Sequence, residues 1–208
     1  MGEEAEGVGG RIRRERLNRN WTLSQMAERS GVSVGTLSKI ENGLSTPYFD
    51  TILKIARTFG VDFETLIEPA SSSPASARCV ATHRGEGVAF STGMYDYEVH
   101  AANLVNKSMI PLYMTIHARS LLDITNWSSH EGEEIIFVVS GEVALHTEHY
   151  APIFLKAGES AYIDSRMRHA FVCHSPEPAR MLSICLSDGK DLAVGVPDIG
   201  KAPDGSAA

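Results

Sequence analysis

Three times within one short segment the chain spells out the same device for starting a helix. Thr22 is followed three positions later by Gln25, a capping box in which each side chain satisfies the other residue's backbone amide, and Trp21 and Met26 flank it as a hydrophobic staple. Ser33 repeats the device with Val32 and Leu37 as its staple, and Asp62 repeats it with Val61 and Leu66. Gly31 and Gly43 fall just past helix ends, where a positive φ is often needed, and Gly60 suits the end of a fourth helix whose first turn Pro47 suits. Phe49, Ile52, Leu53, Ala56 and Phe59 share one apolar face of that helix. The expectation for residues 8–68 is about five short helices around Ile12, Met26, Leu37, Ile40, Ile52 and Leu66. The tight turn Ser30-Gly31-Val32 joins the second helix to the third, and that third helix has the size that enters a DNA major groove.

The run TLSQMAERSGVSVGTLSKIENGLSTPYFDTILKIARTFGV resembles the helix-turn-helix of the Xre/lambda-repressor-like regulators over about residues 10–68, with caps, glycines and core positions at the family spacing. That resemblance implies a dimer on a palindromic operator in double-stranded DNA. Gln25, opening the second helix, is then expected against phosphate. Val34, Gly35, Thr36, Ser38 and Lys39 occupy the front of the third helix, where Val34 can meet a thymine methyl and Lys39 a guanine edge or phosphate. Asn42 is expected to hold phosphate at the helix end. Gly35, Thr36 and Ser38 are poor choices for helix stability alone, which argues against a merely solvated face. Arg11, Arg13, Arg14 and Arg16 are open to either reading, solvated or on phosphate.

Charge agrees with this division. The whole chain carries a net charge of −7, but residues 11–57 hold nine Lys and Arg against four Asp and Glu. Residues 69–208 hold ten against sixteen. A basic segment on an acidic body points the first domain at a polyanion. No apolar run is long enough to span a bilayer and the start is acidic and Gly-rich, so a cytoplasmic protein with no membrane partner is expected. Cys79, Cys173 and Cys185 are an odd number without metal-type spacing and read as reduced thiols packed as small hydrophobes.

Beyond a Pro/Ser/Ala linker at 69–78 the pattern changes to short β-type runs with turns between them, from 79 to 187, before a Gly, Asp, Pro and Ala-rich tail at 188–208. Within the β region His130 is followed by Glu134 and then Gly141, and further on Gly158 by His169. These spacings resemble the two motifs of the cupin superfamily over about residues 108–186. The fold class implied is α + β in two domains: a five-helix, lambda-repressor-like unit followed by a small antiparallel β-barrel, the double-stranded β-helix of cupins. Ser128 stands where the family's first metal histidine would be, and Asp164 and Arg166 replace the Pro and Gly of the second turn. His130, Glu134 and His169 remain as candidate ligands for Zn, Fe, Mn or Ni; the alternative is a metal-free pocket in which they form hydrogen bonds. Tyr113, Arg119, Tyr162 and Phe171 are strand residues expected to line a small-molecule effector pocket. His146 and His149 flank a hairpin and read as turn residues, while His83, His100, His117 and His174 lack partner spacing.

The function expected is a non-enzymatic, homodimeric, sequence-specific transcriptional regulator whose cupin domain senses an effector, a divalent metal or both. The alternative is a mononuclear metal-dependent oxidase or epoxidase, since that layout also occurs among such enzymes.

Overall fold

The computed structural model describes residues 7–67, 79–104 and 107–186. The linker expected at 69–78, the tail at 188–208 and the first six residues lie outside them.

Five helices come first: α1 (Val8–Asn18), α2 (Leu23–Ser30), α3 (Val34–Glu41), α4 (Phe49–Phe59) and α5 (Phe63–Ile67). The capping box opens α2 as expected, the Gln25 amide donating to Thr22 Oγ1 at 3.1 Å and the Thr22 amide to Gln25 Oε1 at 2.9 Å. Ser33 opens α3 by accepting from the Thr36 amide at 3.1 Å. Gly31 closes α2 with a φ of 69°, a conformation that costs a residue with a Cβ more than it costs glycine. Helix α4 begins two residues later than Pro47 suggests, because Tyr48 is still extended and occupies the N-cap position.

Two arginines of α1 turn inward. Arg11 is buried and donates to the terminal carbonyls of α5, Leu66 O at 2.8 Å and Ile67 O at 2.7 Å. Arg16 is buried against Glu41, the last residue of α3, with two hydrogen bonds of 2.7 Å in the fork geometry a carboxylate matches. Those two positions therefore brace the helical unit and are not available to phosphate. Arg13 and Arg14 stay exposed.

Nine strands follow: β1 (Val88–Ser91), β2 (Tyr95–Val99), β3 (Met109–Ile116), β4 (Glu133–Ser140), β5 (Glu142–Thr147), β6 (Ile153–Lys156), β7 (Ser160–Asp164), β8 (His169–Cys173) and β9 (Ala179–Leu186). They form a six-stranded antiparallel sheet, β1-β2-β3-β9-β4-β7, and a three-stranded one, β6-β5-β8. The expected barrel is thus two facing sheets, not one continuously bonded ring. Their inner faces pack around Leu112, Met114, Ile136, Val138, Leu145 and Met181. Gly141 makes the turn from β4 to β5 at φ 79°, and a Cβ there would run into Ser175 and Ala179. Asp164 replaces the expected Pro-x-Gly turn with its own carboxylate, which accepts from the Arg166 amide at 3.0 Å and pairs with its guanidinium at 2.6 Å. No helix among the described residues is long and apolar enough to cross a membrane.

Removing one member of the Arg16–Glu41 pair strands the other as an uncompensated buried charge. Arg16→Met is expected to lower stability by about 3 kcal/mol in chemical denaturation, whereas Arg16→Met with Glu41→Leu recovers most of the loss.

Candidate functional site

Helix α3 presents one face to the core and one to solvent. Leu37 and Ile40 are buried, while Val34 is 44% exposed and Gly35, Thr36 and Lys39 are exposed beside it. Ser38 is half-buried, and its carbonyl accepts from the Asn42 side chain at 2.8 Å, so Asn42 closes the helix end. Gln25 is exposed at the start of α2, with its Oε1 engaged by the capping box. The structure therefore brings all seven positions expected to face DNA to the surface or partly to it, with no element among the described residues packed over the outward face of α3.

The second constellation lies between the sheets. Glu134 is the second residue of β4, its register partners are Ile163 on β7 and Cys185 on β9, and it is 3% exposed. His169 opens β8, and Ser128 pairs with it in an isolated bridge, the two residues exchanging backbone hydrogen bonds of 2.9 Å. His130 follows on the same connection, its amide bonded to Ser165 O at 3.0 Å. Glu134 Oε1 accepts from the Ser183 hydroxyl at 2.6 Å. Glu134 Oε2 has no hydrogen-bond partner, although His169 Nε2 lies 3.3 Å away and His130 Nε2 3.5 Å away.

These separations decide what the cluster is built for. A charge-assisted N–H to carboxylate bond closes to about 2.7–2.9 Å. Two donors about 2.1 Å from a shared ion, at angles near 90–110°, stand about 3.0–3.4 Å apart. Each of the two His–Glu134 separations fits the second arrangement better than the first, although the set whose donor atoms all lie within 4.8 Å of one another is His130, Glu134 and Cys185, without His169. The far side of each ring agrees. His169 Nδ1 lies 2.8 Å from Met167 O and His130 Nδ1 3.4 Å from Glu131 O. A carbonyl only accepts, so Nδ1 carries a proton in each ring and Nε2 is left to face the carboxylate, as an N–H when the ring is charged and as a lone pair when it is neutral. Burial alone would raise the Glu134 carboxyl, but the two imidazoles outweigh it and hold it well below the usual carboxylate range. With the rings neutral, the same groups offer a buried carboxylate and Nε2 lone pairs, a donor set that fits a divalent cation.

Sequence reasoning missed Cys185. Its Sγ and donor atoms of His130 and Glu134 all lie within 4.8 Å of one another. Burial first, and the Glu134 charge second, push its thiol well above the usual range, so without a cation beside it Cys185 stays protonated. The signal was its alternation with Ser183 on β9, small polar residues on the face where Met181 is core.

The cavity beside these groups measures about 20 Å³, room for one water-sized species. Phe171 lines it, as expected of an effector pocket, with Tyr95 and Tyr97 nearby. The other three residues expected there lie elsewhere. Tyr113 alternates with buried Leu112 and Met114, so its ring faces outward and stacks on His100 at 6.1 Å. Tyr162 precedes the buried Ile163 and is 63% exposed. Arg119 pins a loop by donating to the carbonyls of Ser175 and Pro176. The roof of the cavity comes from the other domain: Phe49, at the start of α4, packs edge-on over His130 at 5.6 Å and parallel to Tyr97 at 6.1 Å.

Comparison with known proteins agrees with both halves. A helix-turn-helix family model matches residues 12–66 and a cupin-domain model residues 123–185. The HTH-type transcriptional regulator SutR of Escherichia coli (strain K12) is 40% identical over 65 residues, 31% of this chain but only 36% of SutR. The HTH-type transcriptional regulator PuuR of the same strain is 26% identical over 184 residues, 88% of this chain and 96% of PuuR. Among solved structures, an HTH_3 family transcriptional regulator from Vibrio cholerae superposes with a TM-score of 0.60 at 18% identity, covering 87% of this chain and 95% of that one, a likeness of fold.

Proposed function

The chain is a two-domain protein of the helix-turn-helix plus cupin type, and from that premise we propose that it is a sequence-specific DNA-binding regulator of transcription, acting in the cytoplasm, whose cupin pocket binds a small effector together with a divalent metal. The observation that carries this reading is α3: a short helix held firmly on its buried side, with Val34, Gly35, Thr36 and Lys39 exposed and little bulk to obstruct a groove. Val34 reads a thymine methyl, Lys39 reaches a base edge or phosphate, and Gln25 and Asn42 hold the backbone on either side.

His130, Glu134 and Cys185, whose donor atoms lie within 4.8 Å of one another, would hold the cation, with His169, 3.3 Å from Glu134, near enough to join them. A bound divalent ion supplies Lewis acidity and a positive docking point for an anionic effector. The chain's own residues orient that point: the Ser183 hydroxyl fixes Glu134, and the carbonyls of Met167 and Glu131 fix the imidazoles. The protein works as a homodimer, because a palindromic operator needs two reading heads. The surface best suited to join them is the outer face of the large sheet, where Ile135, Phe137 and Val139 of β4 are exposed beside Tyr162 of β7.

Duplexes selected from a random pool should yield a two-fold symmetric sequence. Val34→Asp, which places a negative charge against phosphate, is expected to weaken binding to it by at least about tenfold in fluorescence anisotropy at fixed salt, with an unchanged circular-dichroism spectrum. Weak, sequence-blind binding by the unaltered protein would sink the regulator reading. Excess Zn(II) should raise the melting temperature of the wild type, a chelator should reverse this, and Glu134→Gln should abolish the shift while His146→Ala retains it. Oxygen uptake by the Fe(II)-loaded protein beyond that of free iron would favour an oxidase instead. Phe137→Glu is expected to convert the dimer to monomer in analytical ultracentrifugation at micromolar concentration.

A further inference from the structure

Phe49 belongs to the helical domain by sequence and to the cupin pocket by position. On its own side its ring meets Phe63 edge-on at 5.0 Å. On the other it covers His130 and lies parallel to Tyr97, which in turn stacks on Phe90 at 4.4 Å. The polar contacts that keep it there lie at both ends of α4. Tyr48 Oη and Thr125 Oγ1 are 2.9 Å apart, Asn126 Nδ2 approaches Asp50 Oδ1 at 3.5 Å, and Arg57 donates to Glu131 O at 3.1 Å. Further along, Phe63 meets Phe90 at 6.2 Å and the buried Lys107 and Glu64 side chains pair at 2.6 Å, but Phe49 is the residue of the helical unit that lines the pocket itself.

The space left beneath that ring is about 20 Å³, enough for an ion or a water and too little for an organic molecule. An effector that reaches His130, Glu134 and His169 must take over volume that Phe49 fills. We infer that Phe49 is a built-in competitor for the effector site. The effector carries an anionic head for the cation end of the pocket and a flat apolar group that replaces the Phe49 ring against Tyr97 and His130, so that its binding and the docking of α4 exclude one another.

This inference rests on the metal-and-effector reading of the pocket and adds to it the ligand's shape and the route of regulation. The route is short. Only six residues lie between Asn42, at the end of α3, and Phe49. Withdrawal of Phe49 therefore moves the segment that anchors the reading helix, pivoting α4 about the Lys107–Glu64 pair that still joins the two units. The ligand shifts this equilibrium by its differential affinity for the undocked state.

The full-length, Zn(II)-loaded protein tests this with benzoate as the ring-bearing probe and acetate as its ring-less control, read by calorimetry and by hydrogen exchange of the α4 amides. In the wild type, benzoate should accelerate exchange in the first turn of α4. In Phe49→Ala that exchange should be fast without ligand, and benzoate should bind about tenfold more tightly than to the wild type, while acetate gains less than about twofold. Phe49→Leu, which keeps an apolar side chain in place, should fall between the two and carries the comparison if the alanine variant does not fold. Equal benzoate affinity in wild type and variants, absence of benzoate binding to the variants, an equal gain for acetate, or binding that leaves α4 exchange unchanged would each overturn the competition. Loss of sequence-specific DNA binding with the competition intact would strike the regulator reading alone, and absence of Zn(II) binding would strike the metal.

Discussion

One aromatic ring of the helical unit reaches into the chemistry of the other domain. Phe49 caps the cupin pocket, and the pocket owes its smallness to that cap. Shielding from bulk water matters to the charges inside. A carboxylate with an unsatisfied oxygen is expensive in an apolar interior and cheap in water, so closing the roof sharpens whatever attraction the site has for a cation. The same ring sits at the first residue of α4, directly downstream of the reading helix. The chemistry of the pocket and the posture of the reading head thus share a residue.

The charge pattern of the chain is resolved in the same structural terms. The acidic residues of the helical segment are largely consumed internally: Glu41 by Arg16, Glu15 by Arg19 at 2.5 Å, and Asp50 by Lys54 at 3.5 Å. Arg29 lies over the Trp21 ring at 4.6 Å, and Lys39 remains on the exposed face. On α3 itself, what reaches the surface is small and neutral apart from Lys39, although the protein as a whole is acidic.

The helical half was legible because its instructions are local. A cap and its partner sit three residues apart, so Thr22 with Gln25, and Ser33 with Thr36, announce helix starts without help from distant chain. The cluster of His130, Glu134 and His169 was legible because the motif spacing of a known superfamily carried it. Sheet parity was not legible. Tyr113 and Tyr162 alternate with buried neighbours, but strands with apolar residues on both faces give no sign of which face is inside. Arg119, expected in the pocket, and Arg11 and Arg16, expected in solvent or on phosphate, misled for a different reason: only tertiary contact reveals the carbonyls or carboxylate that a guanidinium serves. Cys185 and Phe49 depended on pairings of sequence separation too great for any local pattern, β9 against β4 in one case and helix against sheet in the other.

The Arg16–Glu41 pair has a bearing on how such a protein can change over generations. It grips α3 from behind and at its far end, leaving the outward positions with almost no part in holding the fold together. Residues 34–36 and 39 can therefore be exchanged freely as far as stability is concerned. A duplicated copy can drift to a new target site in a few substitutions while inheriting its sensor, its roof and its architecture intact.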